Sequence, residues 1–434
     1  LFLAAAALGG CDGGSSSGGA REAFPQTGAL TVITEAGLRR FGEELAAIGP
    51  RYSDTMGEIA ARRYVVDRFE EMGLEVTLHP FGYTLWNPVE VTAELEGPEA
   101  GPVDAELLGF TPSTPEQGLT AETVYVGDGQ DDYAALRPED LVGKIHLADS
   151  SDDFLSHRTL QYINAQLYGA AAFVHMQARV GEHGERLVEI GSTHGFATIP
   201  GIAVDMETGD RLRRSAGERL TIRATTRSEH AESFNVQGIL RGRSEEFVTV
   251  GAHLDSWYVG ESAADNATGL AGVLEIARAL SEGPELDRSV HFMAFAAEEL
   301  GVQGSIEYVV QNLLDIGADC KLMVNLDVAG VDGEKTLVTA SPEAVEARAL
   351  DYMDEIRFGA VTGTSVEVPE VPALASDLIP YSVIGIPIFY LIQVPNIYYH
   401  TRFDTLDRVD FRTLRYEVGV AAQMVLDAAT TPSE

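Results

Sequence analysis

Residues 247–255 read FVTVGAHLD, an apolar run that ends in His253 and Asp255. The apolar run predicts a buried strand, and the change to polar residues predicts a loop after it. An imidazole that binds a metal needs an acceptor for its second ring nitrogen, and Asp255 is close enough in sequence to serve His253 in this way. The stretch therefore predicts a metal-binding residue at the end of a strand.

Four further groups of metal-binding residue types follow, among apolar or glycine-rich residues typical of the end of a strand and the start of a loop. They are Asp265-Asn266, Glu298-Glu299, Asn325-Leu326-Asp327 and Tyr399-His400-Thr401. Each group alone is weak evidence, because such pairs are common in turns and on solvated surfaces. Together they supply the two imidazoles and the carboxylates that two adjacent zinc ions need, including one that bridges the ions and one left over as a base. The ordered set predicts a hydrolase with a two-metal centre.

The sequence around these groups alternates between strand and helix patterns. Strands are predicted at 74–81, 247–252, 290–296, 322–326 and 386–392, and helices at 58–72, 266–280 and 414–429. This alternation predicts an α/β fold with a mixed, largely parallel sheet flanked by helices, and it places the chemistry at the carboxyl ends of the strands.

The region 91–227 has a different pattern, with short β-like runs broken by Gly, Pro and Asp, and with helices only near 159–168 and 206–216. We therefore predict a β-rich domain at 91–227, inserted into a main domain formed by 29–90 and 228–434. Two domains are expected for 434 residues, since a single core seldom grows to that size. The histidines of the insert have no partner at metal-ligand spacing and are predicted to be structural.

The first residues predict export. Residues 1–11 form an apolar run that ends in a lipobox-like Leu8-Gly9-Gly10-Cys11, so we expect the remnant of a signal peptide and lipidation of Cys11 outside the cytoplasm. A plain secretory signal is the alternative. The run is too short to span a bilayer as a helix, and the Gly/Ser-rich residues 12–28 predict a flexible linker.

The formal net charge of −37 argues against nucleic acid and anionic membrane surfaces as partners, so a lipid anchor at Cys11 is the only membrane contact expected. The acidic residues are spread along the chain, which predicts a solvated acidic surface and is compatible with a saline habitat. Cys320 lies in a predicted strand and is expected to be buried.

The set of motifs resembles metallopeptidase family 28, which comprises co-catalytic zinc exopeptidases: aminopeptidases, glutamate carboxypeptidases and related dipeptidases. The resemblance is carried by residues 251–257 (GAHLDSW), Asp265 twelve residues after His253, 297–301 (AEELG), 325–327 (NLD), 376–377 (SD), 385–387 (GIP) and 399–405 (YHTRFDT). The insert is similar to a protease-associated domain at 143–145 (GKI), 169–172 (GAAA) and 199–202 (IPGI). Together these similarities cover nearly all of the chain beyond the linker.

The resemblance implies a zinc peptidase catalytic domain that holds two Zn²⁺ ions. It implies that Asp265 bridges the ions, that His253 and Asp327 complete one site, and that Glu299 and His400 complete the other. It further implies that Glu298 is the general base and acid, that Asp255 orients His253, that Asp377 lies behind the ligands, and that Tyr399 either stabilises the oxyanion or only packs. Manganese and cobalt remain alternatives to zinc for this donor set. The chain departs from many relatives at Leu378, where they have His, and at Asn266, where they have Asp.

The resulting hypothesis is an exported zinc exopeptidase acting on peptides, with aminopeptidase as the first choice because an acidic site suits a protonated amine. A carboxypeptidase or dipeptidase is the alternative, for which Arg402 could bind the substrate carboxylate and with which the segment around Trp257 agrees. A receptor-like binding protein would have lost ligands, and all are present here. A cyclising aminoacyltransferase uses one zinc ion, and the intact His253-x-Asp255 pair argues against it.

Overall fold

The structure is a computed structural model that describes residues 26–150, 158–193, 197–331, 333–369 and 376–430. The predicted signal remnant with Cys11, nearly all of the predicted linker, and His157 and His194 of the insert lie outside these residues. No helix in the described ranges is both long and apolar enough to cross a bilayer.

The described residues form fourteen strands and eleven α-helices. The strands are β1 Glu75–Leu95, β2 Gly101–Val103, β3 Glu106–Leu107, β4 Leu119–Tyr125, β5 Ile145–Asp149, β6 Ala172–Met176, β7 Gly201–Val204, β8 Arg219–Leu240, β9 Ser244–His253, β10 Arg288–Phe295, β11 Cys320–Asn325, β12 Lys335–Ser341, β13 Ser365–Glu367 and β14 Ile388–Val394. The helices are α1 Glu35–Ala46, α2 Met56–Glu71, α3 Arg158–Leu167, α4 Met206–Arg214, α5 Thr268–Ser281, α6 Gln303–Gln311, α7 Leu313–Asp319, α8 Glu343–Glu355, α9 Phe358–Thr362, α10 Ile379–Val383 and α11 Phe411–Ala429.

The main sheet has the strand order β13-β12-β14-β11-β9-β10-β8. Its centre is parallel, because β9 pairs in parallel with β10 and β11, and β11 with β14, whereas β8 and β12 are antiparallel to their inner neighbours. The predicted α/β fold with a mixed, largely parallel sheet is confirmed. The sequence analysis did not predict β12, an antiparallel strand whose sequence KTLVTAS mixes polar and apolar residues and forms no continuous apolar run.

The two faces of the central strands bury different side chains. In β9, Val248 and Val250 belong to the core shared with α1, α5 and α11, while Phe247 belongs to the core shared with α6, α7 and α10. Successive side chains of a strand point to opposite faces, so these strands are covered by helices on both sides. This double burial explains why their sequences are continuous apolar runs. Cys320, at the start of β11, is buried as expected.

The predicted helix at 58–72 is α2, which begins earlier because Thr55 accepts a hydrogen bond from the amide of Glu58 and caps Met56–Glu71. Strand β1 is much longer than the predicted 74–81. It pairs antiparallel with β8 from Glu75↔Ile239 to Leu95↔Leu220, so both predicted insert boundaries, 90/91 and 227/228, fall inside these two strands.

Between β1 and β8 the chain forms a second sheet region with the order β8-β4-β5-β6-β7-β3, with α3 and α4 packed against its strands. Strands β4 to β7 are parallel to one another, and β4 is antiparallel to β8. We call residues 96–218 the insert from here on. Its identification as a protease-associated domain stays a prediction.

One buried carboxyl in the core of the main domain makes stability depend on pH. Glu417 of α11 is fully buried and accepts a hydrogen bond from the amide of Gly330 at 2.6 Å, and burial raises its pKa to about 8. The folded protein therefore takes up a proton that the unfolded chain, with a glutamate pKa of 4.5, has released. Stability falls as pH rises between these two values.

We expect Glu417→Gln to raise the thermal midpoint at pH 8.5 by several degrees and to change it little at pH 5. One pKa unit corresponds to about 1.4 kcal/mol, so the buried charge costs on the order of 5 kcal/mol above pH 8. Calorimetry at both pH values, with Glu245→Gln as an exposed control, checks this. An equal shift at pH 5 and pH 8.5 would contradict it.

Candidate metal centre

The predicted metal-binding residues converge at the carboxyl ends of the central strands. His253 is the last residue of β9, Glu299 lies four residues beyond the end of β10, and Asp327 lies two residues beyond β11. Asp265 is in the turn Ala263–Ala267 that precedes α5, and His400 is in the loop after β14. All five side chains are buried, although they come from segments far apart in the sequence.

Asp265 lies between the two histidines. Its Oδ1 is 3.1 Å from Nε2 of His253, and its Oδ2 is 2.9 Å from Nε2 of His400. Nε2 of His253 is also 3.2 Å from Oδ1 of Asp327, and Nε2 of His400 is 3.1 Å from Oε2 of Glu299. The side chains thus form two clusters that share one carboxylate.

This donor set fits divalent cations. Donor atoms of His253, Asp265 and Glu299 lie within 4.8 Å of one another. Oε1 of Glu299 is buried and has no hydrogen-bond partner among the described residues, so the carboxylate has an oxygen to spare for a ligand. Mixed imidazole and carboxylate donors are typical of zinc sites.

The pKa shifts in the cluster also favour a bound cation. Burial alone would lower the pKa of His253, but the carboxylates of Asp327 and Glu298 outweigh it and hold that pKa well above its usual value. Burial raises the pKa of Glu299 to about 7, and the neighbouring charge of Asp265 adds to this. Several buried carboxylates repel one another unless cations compensate them, and a bound divalent cation takes over that role from protons.

The turn that carries Asp265 is held by Asp404, whose carboxylate accepts the amide protons of Ala264 at 2.9 Å and Asp265 at 3.0 Å. The peptide bond between Asp265 and Asn266 is cis. Arg51 is fully buried, and its guanidinium donates to the carbonyls of Leu254 and Ser262, which lie in the loops on either side of the cluster. Neither Asp404 nor Arg51 could be assigned a role from the sequence, because their partners are main-chain groups.

The structure places Asp255 differently from the expectation. The ring Nδ1 of His253 lies 3.0 Å from the backbone oxygen of Asp255, whereas the Asp255 carboxylate is 3.8 Å from it. The carboxylate instead accepts the amide protons of Glu298 at 3.1 Å and Glu299 at 3.3 Å. Asp255 therefore fixes the ring through its main chain and the Glu298-Glu299 turn through its side chain.

The two neighbouring glutamates face different surroundings, because the chain turns at Ala297, which has a φ of +55°. Glu298 lines a cavity beside the cluster, with its carboxylate 4.0 Å from Nε2 of His253. Glu299 points at His400. Burial raises the pKa of Glu298 well above its usual value, and the charges of Asp327 and Asp377 add to the effect. Glu298 is therefore positioned to act in the cavity, and Glu299 is positioned to bind a cation beside His400.

Of the remaining predicted residues, two lie beside the cavity or the cluster and one lies away from the cavity. Tyr399 lines the cavity and stacks on the ring of His400 with centroids 3.6 Å apart. Asp377 is fully buried near Glu298, and burial raises its pKa to about 7. Arg402 lies away from the cavity lining that the described residues form, with a side chain 60% exposed and 4.0 Å from Glu106.

The cavity has a volume of about 170 Å³ and is lined from both parts of the chain. The insert contributes Ser150, Arg158, His175, Gln177, Arg179 and Glu189. Arg158 is buried, forms an ion pair with Glu189, and lies 3.4 Å from Nδ1 of His400. Sequence spacing carried no signal for Arg158, because its contact with His400 joins positions 242 residues apart.

Comparisons with known proteins agree with this geometry. The model of peptidase family M28 matches residues 235–425. The chain is 29% identical to aminopeptidase YwaD of Bacillus subtilis over 295 residues, which cover 67% of this chain and 60% of the relative. It is 26% identical over 431 residues to the probable lipoprotein aminopeptidase LpqL of Mycobacterium tuberculosis, covering 86% of this chain and 81% of that one.

Solved structures share the fold. A peptidase M28 precursor from Shewanella amazonensis superimposes with a TM-score of 0.77 at 22% identity, covering 94% of this chain and 96% of the other. BSAP, a zinc aminopeptidase from Bacillus subtilis, gives a TM-score of 0.69 at 23% identity, with 91% and 95% covered. The residues that match the model of peptidase family M28, 235–425, contain the whole cluster described above.

Proposed function

We propose that the protein is an exported zinc-dependent exopeptidase that removes the terminal residue of peptides, with aminopeptidase as the first choice. The observation that carries the proposal is the position of Asp265, whose two carboxylate oxygens face two different imidazoles at 3.1 and 2.9 Å. A carboxylate in this position can serve two cations at once. The names of the relatives, two of them aminopeptidases, support the same activity.

The proposed centre holds two Zn²⁺ ions. His253 and Asp327 would hold one, Glu299 and His400 would hold the other, and Asp265 would serve both. Zinc in such a site supplies an activated water at neutral pH and polarises the scissile carbonyl. The relative BSAP is a zinc aminopeptidase, which supports the choice of metal.

The residues of the chain supply the proton transfers and the positioning. Glu298 faces the cavity and has a raised pKa, so it is suited to take a proton from water and to return it to the leaving amine. Asp255 holds the backbone of this glutamate in place. The hydroxyl of Tyr399 is the candidate for stabilising the oxyanion, while its stacking on His400 supports the packing alternative.

Exopeptidase specificity is supported by the shape of the site. The insert lines one side of the cavity beside the cluster, which limits the directions from which a peptide can reach it.

A carboxypeptidase or dipeptidase remains the second candidate, and one observation favours it. Arg158 and Arg179 of the insert line the same cavity and bring positive charge to it. Arg402, the candidate for this task in the sequence, is remote from the cavity. A receptor-like role is disfavoured because the structure brings all five ligand candidates together.

Export as a lipoprotein anchored through Cys11 also belongs to the proposal. It is supported by the lipobox-like residues 8–11 and by the name of the relative LpqL.

We expect the purified protein to carry close to two zinc ions per chain and to lose them together with its activity when treated with a chelator. Asp265→Ala should lower the zinc content to less than one ion, because both clusters share this carboxylate. Elemental analysis measures this, with Asp315→Ala on the exposed surface of α7 as the control. A fully active protein without metal would refute the zinc proposal.

Glu298→Gln should keep its zinc and lose about 10²- to 10⁴-fold in kcat, since a general base contributes that much. Glu299→Gln, one residue away, should instead lose zinc. Comparing kcat and zinc content in these two variants separates the base from the ligand. If Glu298→Gln remains as active as the parent, the base is another residue.

Aminoacyl anilides with a free amino group should be cleaved, and the same compounds with a blocked amino group should not, because an aminopeptidase recognises the free terminal amine of its substrate. Arg402→Ala should leave these rates unchanged. Cleavage of N-blocked dipeptides with a free carboxylate, together with a raised KM in Arg179→Ala, would instead establish the carboxypeptidase alternative.

A further inference from the structure

The insert touches the metal-binding loop at its most constrained residue. His400 has a φ of +54°, a left-handed conformation that costs free energy for a residue with a side chain and persists only where neighbours hold it. The amide of Ile190, in the insert, donates a hydrogen bond of 3.1 Å to the carbonyl oxygen of His400. The insert thus holds the backbone of this residue in place.

The ring of His400 also rests on the insert. A Cβ atom on Gly191 would lie 2.3 Å from Nδ1 of His400 and 2.2 Å from Nη2 of Arg158, so only glycine allows this approach. On other sides, the ring stacks on Tyr399, with ring centroids 3.6 Å apart, and meets Trp257 edge-on, with centroids 5.9 Å apart. These contacts leave the imidazole little freedom to rotate.

A second glycine of the insert supports the same arrangement. The amide of Gly109 donates to the carbonyl of Gly191 at 2.8 Å, so the two glycines lie side by side. A Cβ atom on Gly109 would lie 2.4 Å from Cη2 of Trp257, which shows how closely that ring approaches the insert. Trp257 is buried and lies between this glycine and His400.

We infer that Gly191, Gly109 and Ile190 are positioning residues of the metal centre, which hold His400 in the orientation that binds the second cation. The inference rests on the proposed zinc function and extends it, because it assigns to the insert a part in metal binding besides covering the cavity. Contacts that orient a metal-binding histidine typically contribute about 10- to 100-fold to metal affinity. The insert acts here through packing and one main-chain hydrogen bond.

The test is the zinc affinity of Gly191→Ala, measured by competition with a chromogenic chelator. One zinc ion should bind as in the parent, and the other should bind at least about 10-fold more weakly, because the added methyl group displaces the His400 ring. The thermal midpoint of the metal-free protein, recorded in parallel, distinguishes a loss of positioning from a loss of folding.

The matched control is Gly101→Ala. Gly101 also belongs to the insert and has a φ of +142°, against +144° for Gly191, but no described atom lies within 4 Å of the point that its Cβ atom would occupy. It therefore has nearly the same φ as Gly191 without the contact with His400. Its affinity for both zinc ions should equal that of the parent.

If Gly191→Ala does not fold, Gly109→Ala takes its place, since its added methyl group would press on Cη2 of Trp257, the ring that packs edge-on against His400. It should likewise weaken the binding of one ion. Parent affinity for both ions in the folded variant would overturn the inference, as would equal weakening in Gly101→Ala. A parent protein that binds no zinc would instead refute the proposed function, so the two failures are distinguishable.

Discussion

The structure depends on keeping several carboxylates buried in a small volume around Asp265. Each would be costly there without a compensating charge, because burial in a low-dielectric interior disfavours an unpaired ion. Two imidazoles supply part of that compensation, and main-chain amides supply more, as at Asp255 and Asp404. Metal binding and stability are therefore coupled in this fold, since the same residues that hold a cation are the ones whose charges the fold must otherwise balance.

The parallel strands bring these residues together at one edge of the sheet. In a parallel sheet the carboxyl ends of neighbouring strands meet at one edge, and β9, β10 and β11 end there. Both faces of these strands are covered by helices, so the strands are apolar until the residue where they end. The change from apolar to polar residues at the strand ends is the pattern from which the fold class and the ligand candidates could be predicted. His253 and Asp327 became ligand candidates because the polarity of the chain changes beside them, whereas their placement in one site was implied by the resemblance to the peptidase family.

Other features depend on contacts that no local pattern encodes. The Asp255 carboxylate binds the amides of Glu298 and Glu299 because the loop after β10 turns at Ala297, and this turn was not apparent in the sequence. Arg158 reaches His400 from a helix 242 residues away in the chain. Both predicted insert boundaries were placed where the amino-acid composition changes. The pairing of β1 with β8 continues past both of these points, so the boundaries fall inside the two strands.

That continuous ladder explains how an inserted segment can take part in a metal centre. Strand β8 pairs with β10 near one end, with β1 along almost its whole length, and with β4 of the insert near the other end. Backbone pairing of this kind fixes the position of the insert relative to the main sheet far more tightly than a flexible hinge, because each pair of residues adds hydrogen bonds along the same two strands. A Cβ atom on Gly191 would lie 2.3 Å from Nδ1 of His400, so this close approach depends on the position of the insert relative to the main sheet. Close packing of the insert against the His400 ring therefore depends on the long strands as well as on the glycines, because the packed segment must keep a fixed position relative to the main sheet.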